Sequence, residues 1–238
     1  MARKAQISIA ALFALVFGAT WSNPARSEPL TFVYHVEHPT YGDVGTYTNV
    51  IIQNGDSVDI QTDLHVAVKV LGVRLFHQDA KRLEHWESGR LISFHGGTDD
   101  NGREIDVDGK ARDDAFVIQS PLGDFTAPAR VHPSNPWSQQ CLNTDTMMGT
   151  KTGKVMKVAV TDTGIVDVVF DGKPTRLHQY FIDSDKHQVV WLDDSGVVAG
   201  FETEEAGTRI RFILEQDDKA KSTAPARDHV ALRQANNP

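Results

Sequence analysis

A single cysteine, Cys141, occurs in the 238 residues of this chain, so no disulfide can form within it. The fold must therefore rest on buried apolar surface, even in an oxidising compartment where small domains are commonly stapled. Long apolar runs are missing as well. The longest run of apolar or small residues, Ile7 to Ala19, has 13 members, well short of the ~20 that a bilayer-spanning helix requires. Positive charge is in deficit, with 24 Lys+Arg against 32 Asp+Glu and a net charge of −8. Affinity for nucleic acid comes from cations that displace phosphate counterions, so this balance argues against a nucleic-acid partner. No stretch of ten or more residues sustains a 3.6-residue apolar period, which leaves little room for helix. A glycine-rich phosphate loop, a dinucleotide fingerprint and a serine nucleophile elbow are all lacking.

What is present at the start reads as a secretory signal over residues 1–27. Arg3 and Lys4 precede the apolar run, and Ala25 and Ser27 make a small-x-small cleavage site before Glu28. Cleavage there removes Arg3, Lys4 and Arg26 and no acid, taking the net charge from −8 to −11. The expectation is an exported, periplasmic product that does not span the membrane once cleaved. Residues 216–238 mix charge with Ala, Pro and Asn and read as a mobile tail. Between these ends, residues 28–215 suit one domain with a sizeable core.

Residues 58–70, "VDIQTDLHVAVKV", carry the clearest pattern. Val58, Ile60, Thr62, Leu64, Val66, Val68 and Val70 share one parity, while Asp59, Gln61, Asp63, His65 and Lys69 share the other. A period of two over thirteen residues predicts a strand with one buried and one wet face. At Gly72 the parity switches, and a bulge or corner is expected there. Asn54-Gly55, "DDNG" (99–102), Asp108-Gly109, Asp171-Gly172, Ser195-Gly196 and Ala206-Gly207 punctuate the chain as turns. Short β-branched or aromatic runs separate them, among them 31–38, 47–53, 90–96, 115–119, 155–161, 166–170, 175–182, 189–192, 197–202 and 208–214. The fold class predicted is all-β: an antiparallel meander, rolled or barrel-like, with at most one short helix near 138–148.

"NPW" (135–137), "LNTDTMMGTKTGKV" (142–155) and the stretch 170–202, ending in Trp191, Asp193, Gly196 and Phe201, resemble a family of bacterial periplasmic proteins of unknown function. Gly42 and Gly45 fit the layout of its N-terminal half. The resemblance implies a rolled β-sheet and a periplasmic location. It implies no activity, and fold alone does not fix one.

Four features compete for a chemical role. Cys141 lies nine residues after His132 and four before Asp145, an order that invites a Cys/His/Asp nucleophile. Pro133 and Pro136 intervene and no oxyanion-forming turn precedes the thiol, so a connector carrying a small buried residue is the better reading. Ten histidines are present. Those at 35, 38, 77, 85 and 95 lie in or near strands, but no spacing announces the three or four converging ligands that zinc requires. In "GTDDNGREIDVD" (97–108), Asp99, Asn101 and Gly102 fit the middle of a calcium loop. Gly97 and Asp108 fail its ends, so a hairpin turn is expected. Trp86, Trp137 and Trp191 are large enough to anchor a core or to line an apolar cavity. No catalytic, cofactor-binding or metal-ligating set is assigned. The expected role is non-enzymatic binding or scaffolding in the cell envelope, with a hydrophobic small molecule or lipid as the candidate partner. An enzyme using Cys141 or a histidine cluster, and a purely structural interaction module, remain the alternatives.

Overall fold

The computed structural model of the chain describes residues 27–170, 172–205 and 207–215. The signal segment and the C-terminal tail expected from sequence lie outside these residues, apart from Ser27. The period-two segment forms a strand as predicted, and hairpins extend the pattern in both directions. The first eight strands run β1 (Leu30–His38), β2 (Gly42–Asn54), β3 (Ser57–Val70), β4 (Val73–Glu87), β5 (Arg90–Asp100), β6 (Arg103–Arg112), β7 (Ala115–Ser120) and β8 (Gly123–Pro128). A crossing segment holds three short strands, β9 (His132–Pro133), β10 (Thr146–Met148) and β11 (Val155–Lys157). Five more follow: β12 (Ala159–Phe170), β13 (Lys173–Asp183), β14 (Gln188–Leu192), β15 (Val198–Glu205) and β16 (Thr208–Leu214).

Thirteen of these strands make one antiparallel, barrel-like sheet in the order β12-β13-β14-β15-β16-β1-β2-β3-β4-β5-β6-β7-β8. The sheet is not closed, and β12 and β8 are its two ends. The last strand returns to pair with the first, with Tyr34 opposite Leu214 and Val36 opposite Phe212. The three short strands form a second sheet, β11-β10-β9, in which β9 and β10 run parallel. That parallel pair departs from the pure meander expected. The helical content near 138–148 is one 3-10 turn, Gln139–Leu142, capped by the Ser138 side chain.

Two turn assignments need correction. Gly72 is no corner within a strand: with Leu71 it makes a two-residue hairpin, and Val70 pairs with Val73. The parity switch arises from the turn and from the register shift between Val68 and Lys69. Asp108-Gly109 is no turn either, since both residues sit inside β6. Gly109 is there because the Phe116 ring lies where its side chain would be, 2.3 Å from the position a Cβ would take. A mid-strand glycine can answer to packing as well as to turning.

Inside the roll, alternate residues build two apolar clusters with a polar seam between them. Tyr47, Leu64, Val68 and Ala80 belong to one cluster, and Ile60, Trp86, Phe94 and Phe116 belong to the other. Along each of three adjacent strands the residues between the clusters are polar and buried: Asn49 on β2, Thr62 on β3, and Arg82 and Glu84 on β4. The crossing segment fills the interior. Val131, Trp137 and Met148 join the second cluster, while Leu142 and Met147 join the first. Segment 132–149 is therefore part of the core and no mere bridge between turns.

Candidate functional site

The polar seam is organised by Asn135, which the crossing segment delivers to the centre of the roll. Its Nδ2 donates to Thr62 Oγ1 at 3.0 Å and to Glu84 Oε1 at 3.0 Å, and its Oδ1 accepts from the Tyr47 hydroxyl. Thr62 in turn donates to Asn49 Oδ1 at 2.8 Å. Glu84 Oε2 accepts the Trp86 indole N–H at 2.9 Å. The strand-borne members converge because each occupies the inward parity of its own strand, and Asn135 reaches them from the crossing segment.

Burial dominates the electrostatics. Glu84 is 2% exposed, and loss of solvation lifts its pKa to about 7 against the opposing pull of Asn135, Trp86, Arg82 and Trp137. Burial also raises the Tyr47 phenol and lowers the Arg82 guanidinium. Arg82 Nε has no hydrogen-bond partner, and the side chain makes no ion pair among the described residues. Sequence reading missed this group. Arg82 and Glu84 break the apolar parity that marks an inward face, while Leu83 between them points outward and is half exposed. The one available signal was that Ala80 and Trp86 share their parity.

Beyond Glu84 the wall opens. A cavity of ≈330 Å³ lies at one end of the roll, lined by Gln53, Val58, Trp86, Ser88, Trp137 and Gln140 among others. The β2–β3 and β4–β5 turns form its rim and are tied together where Ser88 N–H donates to Asp56 O at 2.9 Å. Trp86 and Trp137 meet edge to face, with centroids 5.9 Å apart, and the His132 ring lies 4.9 Å from Trp86. The Trp137 indole N–H is buried without a close hydrogen-bond partner, though it lies near enough to the Glu84 carboxyl to help hold its pKa down. Such orphans are rare in folded proteins.

The Cys/His/Asp arrangement does not assemble. Cys141 is buried on the 3-10 turn, and burial, reinforced by the nearby Glu84 charge, pushes its thiol up to about 12. His132 is buried beside Trp86, which drops its pKa to about 4. Asp145 is exposed, bonded to Thr146 and facing Lys157. No hydrogen bond joins the three.

The strand histidines meet carboxylates rather than one another: His35 with Asp43, His85 with Asp59, His95 with Asp108 and His77 with Asp99. His38 accepts the Thr40 amide through Nδ1. One group goes further than spacing announced. His77, Asp79 and Asp99, from β4 and β5, place potential metal-ligating atoms within 4.8 Å of one another on the outer face. His65 steadies Asp79 there, and the Gly102 amide steadies Asp99 at 2.6 Å. Asp99, Asn101 and Gly102 otherwise make the hairpin turn predicted for them, with Asn101 and Gly102 at its tip. Trp191 anchors a separate apolar cluster with Phe170, its N–H bonded to Gln179 at 2.9 Å.

Residues 42–215 match the profile of a family described as Domain of unknown function (DUF6134). Among solved structures, the chain is similar to a β-barrel-like protein of another domain of unknown function, DUF1849, from Brucella abortus. The TM-score is 0.59 at 12% identity, covering 79% of this chain and 96% of that one. At that identity the likeness speaks to fold alone. No curated protein matches the sequence.

Proposed function

The chain belongs to the DUF6134 family, whose function is unknown, and on that premise we propose that it is an exported, periplasmic binding protein of the cell envelope without catalytic activity. Its ligand is a small molecule with an apolar face, held against Trp86 and Trp137. The observation that carries this reading is the ≈330 Å³ cavity walled by the apolar faces of Trp86 and Trp137. That volume falls in the range of ligand sites. The interior of the roll is occupied by side chains from the crossing segment, so the ligand sits at the mouth rather than in the centre. A buried thiol with its pKa at about 12 is a poor nucleophile, which weighs against the enzymatic alternative.

Native mass spectrometry of protein isolated from the periplasm, paired with titration by anilinonaphthalene sulfonate, tests the reading. The expected result is a bound small molecule or saturable probe uptake that Trp137→Ala abolishes. Wild-type protein that carries no adduct and takes up no probe defeats it. Recovery of an exported chain beginning at Glu28 tests the location separately.

A further inference from the structure

The β3–β4 hairpin differs from its neighbours in a way that the core does not explain. Pairing of β2 with β3 ends at Val66, and pairing of β4 with β5 starts at Gln78. Residues 69–75 are thus the end of a two-stranded ribbon that passes beyond the sheet, with His77 still tied through its backbone to Asn101. Val68 and Phe76 still pack on the first apolar cluster. Past them, the tip reaches about 10 Å further at ~3.4 Å per residue.

That tip is apolar. Val70, Leu71, Val73 and Leu75 are 37%, 100%, 62% and 58% exposed. Isolated exposed apolar residues need no explanation, but a contiguous group does. The turn itself sharpens the point. Among the described residues, four other than glycine have positive φ: Leu71 at 50°, Ser88 at 48°, Asn101 at 55° and Asp113 at 45°. All four sit in hairpin turns. Asn101 and Asp113 are residue types suited to the left-handed conformation, whereas leucine strains there. The chain accepts that strain to present a fully exposed leucine.

Lys69 and Arg74 flank the tip, exposed and opposite each other in register. Neither makes an ion pair among the described residues, although acids outnumber bases in the chain. An apolar tip collared by two cations, of which Arg74 also lies within electrostatic reach of Asp99, matches the layered chemistry of an anionic lipid surface, with hydrocarbon inside and phosphate outside. We propose that the β3–β4 hairpin tip inserts Leu71, Val73 and Leu75 into the boundary of an anionic bilayer, with Lys69 and Arg74 on its headgroups.

The test is sedimentation of the full chain, and of the chain from Glu28, with vesicles of equal parts phosphatidylcholine and phosphatidylglycerol, or of phosphatidylcholine alone. Partition is expected on the anionic vesicles. Leu75→Asp lowers it by about tenfold or more, and Lys69→Gln or Arg74→Gln by about fivefold each. Leu71→Asn is the sharper variant, because asparagine suits a positive φ. It raises the thermal unfolding midpoint while weakening partition, a pair of changes that misfolding cannot produce. The proposal is overturned if wild-type protein partitions on neither vesicle, if it binds phosphatidylcholine equally well, or if these variants leave partition unchanged. A dimer in sedimentation velocity that Leu71→Asn dissolves would instead assign the tip to a second copy of the chain.

Discussion

Replacing Glu84 with glutamine changes the pH dependence of stability in a direction that follows from its burial. The folded-state pKa of about 7 lies above the ordinary 4.5, so between those values the folded protein binds a proton that the unfolded chain releases. Stability contributed by Glu84 is full below about pH 4.5 and is lost as pH rises through 7. Integrating the two titration curves from about pH 5 to about pH 8 gives a loss of about 2.5 kcal/mol. The amide of the Glu84→Gln variant does not titrate and escapes this loss. It also presents an N–H₂ group where two donors, Asn135 Nδ2 and Trp86 Nε1, expect acceptors, a penalty of about 1–3 kcal/mol that is far less sensitive to pH. The difference between variant and wild type should therefore move by about 2.5 kcal/mol in favour of Glu84→Gln as pH rises. His132, whose pKa is depressed to about 4, contributes stability that is lost as pH falls from 6.5 towards 4. It does so equally in both proteins and largely cancels in the difference. Urea unfolding followed by tryptophan fluorescence across this pH range measures it. A difference that stays flat refutes the buried, proton-holding carboxylate.

Two further outcomes follow from packing. Gly109→Ala should destabilise the fold by about 1–3 kcal/mol by calorimetry, because its Cβ would fall 2.3 Å from the fully buried Phe116 ring. Cys141 should resist alkylation near neutral pH in the folded protein and react at the rate of a free thiol once urea is added. Rapid native modification would place the thiol outside the core.

The parts of the molecule that obey simple alternation were legible before any coordinates. Residues 58–70 read as a strand because every second side chain is apolar or Thr62, and the turns at Asn54-Gly55, Asn101-Gly102 and Ser195-Gly196 read correctly from their dipeptides. The rest was hidden by exceptions to alternation. Strand β4 places Arg82 and Glu84 inward and Leu83 outward, so its pattern resembles noise until Asn135 arrives from about fifty residues away. That partner could not be inferred, because nothing local to "NPW" says which strands it will reach. Asp108-Gly109 carries turn composition yet lies within a strand, since the demand for glycine comes from Phe116 across the ladder. The cavity was equally illegible: its wall combines two turns and the crossing segment, three pieces that meet only when the sheet curls.

The pairing of β16 with β1 has a consequence for how the protein is made. Strands β2 to β8 can zip as successive hairpins while the chain is still emerging, yet the partner that β1 awaits on its other side spans Thr208–Leu214. Until those residues appear, the leading strand keeps one row of amides and carbonyls unanswered, a standing invitation to mispair. Assembly is thus gated at its final step, and the earliest strand stays open to mispairing for nearly the whole time of synthesis.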